Sequence, residues 1–284
     1  MTGISTGALI APFAFAGADY DQILKQVYTS VETKDIVKFR FFTYTRRGLD
    51  SLADSSPLRG LIEKTVTDDV IRSVARAHQT GRRLYIGTTD LDAGRLVIWN
   101  MGVLAANDRP ETFDLFRKIL LASASIPIIF PPVYIPVEVG GEIYEEMHVD
   151  GGVATQVFFY GDIINLDDAV RAAGPSSIGA GRIYIIQNIQ SVPQYAPVES
   201  NLVGISKKSI MGLLANQGNG DLYRIHALAE REGIKFKLVF IPSDFELKPS
   251  ELFDPEVMEK LFDLGYHMAS SGDPWQNYPP GYKE

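Results

Sequence analysis

Gly3-Ile4-Ser5-Thr6-Gly7 fits G-x-S-x-G, the pattern of a serine held on a sharp turn between a strand and a helix. A serine hydroxyl is a weak nucleophile. It needs a turn that projects its Oγ, a base to take its proton, and N–H donors for the negative charge that develops on an attacked carbonyl. The pattern offers Ser5 as the nucleophile and the Thr6 N–H, one residue on, as an oxyanion donor. Gly3 and Gly7 leave room for the strand and helix to pass closely. Ala8-Leu9-Ile10-Ala11 then continues as an apolar, helix-compatible run, as a helix packed under a sheet requires. The pentapeptide alone is a weak signal, and a chance match to the pattern is the alternative.

The candidate base is Asp150, in Asp150-Gly151-Gly152 directly after the strand-like run Ile143–Val149. An aspartate at a strand end followed by two glycines is held rigidly while another backbone approaches, although Asp-Gly is also a common turn. A Ser…Asp/Glu…His triad would need His226 or His267. Both lie in helical patterns, beside Leu222 and Ile225 or Leu264, and read as packing or surface residues. His78 falls near a helix end, where a cation is favoured. His148 lies just ahead of Asp150, close enough to line a site. No H-E-x-x-H or His/Asp/Glu cluster stands at metal-ligand spacing and the chain has no cysteine, so neither a metal nor another cofactor is expected.

These residues are carried by alternating helical and strand patterns. Ile23, Leu24, Val27 and Tyr28 recur at helical spacing after Tyr20. A helix opens at Thr67 with Asp68 and Asp69 in its first turn and closes near Gly81. Arg83–Thr89 and Arg95–Asn100 read as strands joined through Asp92-Ala93-Gly94. Glu111–Ala122 is an amphipathic helix with Phe113, Phe116, Ile119 and Leu120 on one face. Pro127, Pro131, Pro132 and Pro136 exclude helix and leave loop and edge strand. Gly140-Gly141 turns a hairpin between Val133–Val139 and Ile143–Val149. Arg182–Asn188 and Lys235–Pro242 are further strands. Between them runs a long helix around Ile205–Arg231, with an interruption at Gly218-Asn219-Gly220, and Pro255–Ser270 is the last helix. The pattern is that of an α/β layered fold.

The 284 residues include 27 Lys+Arg and 35 Asp+Glu, a formal charge of −8. With a sequence pI near 5.1, this opposes broad electrostatic binding to nucleic acid or to an anionic membrane surface. Hydrophobic residues at 45% and charged residues at 22% are those of a globular protein, which sets disorder and coiled coil aside. The longest apolar stretches, Ala8–Ala18 and Ile119–Val139, are broken by proline, so no transmembrane helix is expected. Met1 and Thr2 carry no basic segment typical of a secretory signal. The compartment stays open.

Taken in order, Gly3–Gly7, the stretch Ser123-Ala124-Ser125-Ile126-Pro127…Phe130-Pro131-Pro132 and Asp150-Gly151-Gly152 resemble the patatin-like phospholipase family. Thr88-Thr89-Asp90-Leu91-Asp92-Ala93-Gly94 and Gly272-Asp273-Pro274-Trp275 are similar to its bacterial members. The resemblance covers most of the chain. It implies a single acyl-hydrolase domain over 1–284, with a central, mostly parallel sheet flanked by helices. It also implies a Ser–Asp dyad without histidine, Ser5 as nucleophile and Asp150 as base, cleaving acyl esters of phospholipids or related lipids through an acyl-enzyme. Lipid is the implied partner, with peripheral membrane contact. Ile126–Val133 would meet acyl chains or pack in the core.

The family's glycine-rich oxyanion loop and the strand leading into the serine turn lie upstream of that turn, whereas only four residues precede Ser5 here. The expectation is therefore a chain truncated at its N-terminus and lacking that core strand, with its true start upstream. The alternative is a catalytically impaired domain that binds lipid or another partner.

Overall fold

The computed structural model describes residues 1–39, 51–158, 181–190, 197–246 and 249–282. The chain folds as two compact units. One comprises Met1–Gln156 with Pro249–Phe262, and the other Val157–Lys248 with Asp263–Glu284.

In the first unit the order is β1 (Thr2–Gly3), α1 (Thr6–Ala16), α2 (Asp21–Thr29), α3 (Thr33–Ile36), β2 (Lys38–Phe39), β3 (Ala53–Asp54), α4 (Ser56–Thr65) and α5 (Asp68–Gln79). There follow β4 (Tyr85–Asp90), β5 (Arg95–Asn100), α6 (Met101–Ala106), α7 (Pro110–Ser123), β6 (Val133–Val139) and β7 (Glu142–Asp150). A five-stranded sheet runs β1-β4-β7-β6, with β5 also paired to β4. The layered α/β architecture matches the sequence reading. The sheet direction does not: among the described strands of this sheet only β1 and β4 pair parallel, while β4–β5, β4–β7 and β6–β7 are antiparallel. Two of these antiparallel pairs are local hairpins. Gly94 (φ 64°) turns β4 into β5, and Gly140 and Gly141 (φ 64° and 88°) turn β6 into β7. Turns so short force antiparallel pairing, since a parallel return needs a long crossover.

A strand does lead into Ser5. Thr2–Gly3 lies parallel to Tyr85–Ile86. The Met1 carbonyl accepts the Tyr85 N–H at 3.0 Å, and the Met1 amino group donates to the Arg83 carbonyl at 2.8 Å. The expectation that this strand is missing is corrected, because very few extended residues suffice where β4 presents unpaired backbone groups to them.

Helix α1 is apolar nearly all round and buries Ala8, Ala11, Pro12, Phe13 and Phe15, as such a helix must. Ala8, Ala11, Phe13 and Phe15 share one core cluster with Ile71 and Val74 of α5, Ile86 of β4 and the expected face of α7, Phe113, Phe116, Ile119 and Leu120. Phe130 and Val133 are core residues, with Ile126 and Ile129 packed on the same cluster, so Ile126–Val133 contributes to the core. Pro136 sits in β6, at the sheet edge, where its lack of an N–H is tolerated. Thr67 caps α5 by accepting the Val70 N–H, and Gly81 takes φ 93° beyond its end.

The second unit pairs β8 (Arg182–Gln190) parallel with β9 (Lys235–Ile241). The helix Leu202–Arg231 is continuous through Gly218-Asn219-Gly220, so no interruption forms. Its i→i−4 ladder needs no side chains, and a cost of about 1 kcal/mol per glycine is outweighed where Leu222 and Ile225 bury against Ile183, Ile185 and Leu238. A helix spans Pro255–Ser270, the range read from the sequence. Among the described residues, no helix is long and apolar enough to cross a membrane.

Candidate active site

Ser5 stands between β1 and α1 with φ 54° and ψ −126°, a conformation that non-glycine residues rarely adopt. The turn is held by short-range bonds. The Ile4 carbonyl accepts the Gly7 N–H at 2.8 Å, and the Ser5 carbonyl accepts those of Ala8 at 2.9 Å and Leu9 at 3.3 Å. Gly3 is required here, because a Cβ on it would come within 2.6 Å of the Gly7 carbonyl oxygen. Gly7 is exposed, and a Cβ there would meet nothing within 4 Å. The expected need for a glycine on both sides of Ser5 therefore holds on one side only. The close approach is between the strand end and the helix backbone, and Gly7 contributes only its carbonyl to it.

Asp150 ends β7, opposite Thr88 of β4. It is buried, and the Ser5 side chain is near enough to its carboxylate to favour the ionised form. The Gly152 N–H donates to the same carboxylate at 2.7 Å. Burial pushes the Asp150 carboxyl up to about 6, while the Ser5 side chain and the Gly152 N–H favour the ionised form and oppose that rise. Gly151 has a steric role, since its Cβ would lie 2.5 Å from the Gly87 carbonyl oxygen. The turn is tied to β4 by Thr89, whose Oγ1 donates to the Asp150 carbonyl at 2.9 Å and accepts the Ala154 N–H at 3.1 Å.

Sequence reasoning overlooked what the Ser123-Ala124-Ser125 turn does. Ser123 Oγ accepts the Ser5 N–H at 3.1 Å, and the Ser125 carbonyl accepts the Asp150 N–H at 2.9 Å. One turn at the end of α7 thus holds the backbones of both residues. The stretch stood out in the sequence by its prolines and small residues, but nothing in that pattern states which backbone groups it meets. Thr6 begins α1, where the N–H is not consumed by the helix, and among the described residues that N–H has no acceptor.

The histidines serve other ends. His148 is fully buried in β7, with Nδ1 2.9 Å from Thr88 Oγ1 and Nε2 3.2 Å from Glu146 Oε2. Thr88 Oγ1 also accepts the Trp99 Nε1–H at 2.8 Å. With Nε2–H donated to Glu146, Nδ1 accepts from Thr88, and every proton in the chain has a place. Both ring nitrogens of His148 are thereby engaged away from Ser5. His78 lies in the last turn of α5, where burial and the Arg83 charge push its imidazole below the ordinary value. His226 packs among Phe236, Tyr278 and Tyr282 in the second unit. Among the described residues, no cluster of His, Cys, Asp and Glu is arranged to hold a metal.

The family model described as Patatin-like phospholipase matches residues 1–160, the segment carrying both Ser5 and Asp150. Over 149 residues the chain is 31% identical to each of two potato (Solanum tuberosum) proteins, Patatin group M-1 and Patatin-14. Each alignment takes in 49% of this chain and 36% of the relative. Patatin-12 of the same plant is 36% identical over 101 residues, covering 34% of this chain and 24% of that protein. The matches thus span between about a quarter and little more than a third of the length of these relatives.

Proposed function

The chain belongs to the patatin-like phospholipase family, and from that premise we propose that it is a serine acyl hydrolase acting on acyl esters of phospholipids or related lipids, with Ser5 as nucleophile and Asp150 as base. Residues 1–284 are read as one such domain. The observation that carries the reading is a strained strand-to-helix turn that sets Ser5 beside the buried carboxylate of Asp150, whose ionised form the serine side chain favours.

As Ser5 Oγ attacks the ester carbonyl, its proton passes to Asp150 and the carbonyl oxygen becomes an oxyanion facing the Thr6 N–H at the start of α1. Collapse of the tetrahedral intermediate breaks the ester C–O bond. The leaving alcohol or lysolipid takes the proton from Asp150, and the acyl group remains on Ser5. Water then attacks the acyl-enzyme, gives its proton to Asp150 and releases the fatty acid. The proton returns to Ser5 Oγ. A carboxylate is a feeble base in water, and burial next to the hydroxyl raises its proton affinity toward what this step needs. The proton cycle uses Ser5 and Asp150 without a histidine, and peripheral contact with a lipid surface delivers the substrate.

The test is intact-mass labelling with a fluorophosphonate probe, run beside phospholipid hydrolysis. We expect a single adduct on the parent chain, none on Ser5→Ala and much slower labelling on Asp150→Asn. A folded parent that neither labels nor hydrolyses would favour the alternative of a lipid-binding module. An adduct that persists in Ser5→Ala would overturn Ser5 as the nucleophile.

A further inference from the structure

Ser123 has 0% of its surface exposed and carries a single hydroxyl proton. That proton goes to the Gly87 carbonyl, 2.7 Å away on β4, so the oxygen's lone pairs are left to receive the Ser5 N–H at 3.1 Å. Only one orientation satisfies both bonds. The peptide plane between Ile4 and Ser5 is consequently pinned at both ends, its carbonyl by the Gly7 N–H and its N–H by Ser123. The next plane is pinned only at the Ser5 carbonyl, by Ala8 and Leu9, and its N–H, that of Thr6, stays open.

We infer that Ser123 is a positioning residue: by accepting the Ser5 N–H it holds the nucleophile in its left-handed conformation and leaves the Thr6 N–H as the oxyanion donor. The inference rests on Ser5 being the nucleophile. A strained conformation persists only where its surroundings over-determine it. Here the neighbours of Ser5 in sequence fix its carbonyl side, and a residue far away in the chain fixes its amide side. Gly87 serves as the common anchor, because its carbonyl takes the Ser123 proton and also abuts Gly151 next to the base. Ser5's own N–H is engaged and does not serve as an oxyanion donor.

The experiment compares the parent chain with Ser123→Ala, Ser123→Thr and, as a control for a lost buried hydroxyl elsewhere, Thr65→Val. Thr65 Oγ1 donates only along its own helix, to the Leu61 carbonyl at 2.7 Å. Misplacing a reacting group by about 1 Å is worth on the order of a hundredfold in rate. Ser123→Ala should therefore lower kcat and the fluorophosphonate rate constant by roughly ten- to a hundredfold, with KM within about twofold of the parent. Ser123→Thr, which keeps a donor and acceptor, should recover most of the rate, and Thr65→Val should keep it. Hydrogen exchange at the Ser5 amide, followed by NMR, should accelerate in Ser123→Ala and not in Thr65→Val.

A parent that labels at Ser5 and a Ser123→Ala chain whose folded fraction labels at the parental rate would overturn the inference and leave the dyad standing. So would a lower labelling end-point with an unchanged rate constant, which marks a purely structural role. A parent that never labels at Ser5 overturns the dyad reading, and the inference with it.

Discussion

Asp150 lies beside Ser5 with only 2% of its own surface exposed, so the burial that raises its affinity for the serine proton also works against the charge the base needs, while the Ser5 side chain favours that charge. Only the ionised carboxylate takes a proton from Ser5. Because burial pushes its pKa up to about 6, kcat/KM should fall about tenfold per pH unit below 6 and reach a plateau above it. A pH–rate profile on a soluble acyl ester checks this, and a midpoint near 4 would show that the carboxyl titrates as if in water.

The same shift has a consequence for stability. An acid whose pKa is raised on folding holds its proton more tightly in the folded chain, so the stability tied to it is present below about 4 and is lost as pH rises through 6. A neutral amide escapes that loss. Asp150→Asn should match the parent in stability near pH 3.5 and exceed it by on the order of 2–3 kcal/mol at pH 7, while losing turnover. Urea unfolding at the two pH values measures the difference.

The two motif glycines should behave oppositely. Gly3→Ala places a Cβ 2.6 Å from the Gly7 carbonyl oxygen and should cost several kcal/mol or prevent folding. Gly7→Ala points into open space on a helix and should leave stability unchanged or raise it by up to about 1 kcal/mol. Thermal melts of both variants decide the matter.

Thr88→Val should destabilise the first unit by about 2–4 kcal/mol, because both the Trp99 Nε1–H and His148 Nδ1 lose their shared partner in a buried setting. Indole fluorescence reports the loss directly, and a variant with parental stability would mean that water or a neighbour replaces the hydroxyl.

His226→Ala tests the absence of histidine from the reaction. The ring packs edge-on to Phe236 and tilted against Tyr278 and Tyr282, so the variant should lose about 1–2 kcal/mol of stability. Its kcat at a temperature where it is folded should equal the parent's. A kcat reduced a thousandfold would restore a triad.

The sequence by itself determined what depends on neighbours along the chain. Thr67 followed by two aspartates starts a helix because its side chain reaches an N–H three residues on, and Gly140-Gly141 makes a hairpin because the turn needs φ > 0 there. The strand-to-helix turn at Ser5 and the strand end at Asp150 were legible for the same reason. Only the tertiary structure decided the sheet direction, the unbroken course of Leu202–Arg231 and the role of Ser123. Strand pairing depends on which edges meet, and helix continuity through glycines depends on what the flanking residues bury. A hydroxyl that receives the amide of Ser5 looks in the sequence like any other serine near the end of a helix. Its partners, Ser5 and Gly87, lie far off along the chain, and packing α1 and α7 on one sheet is what brings them within bonding distance.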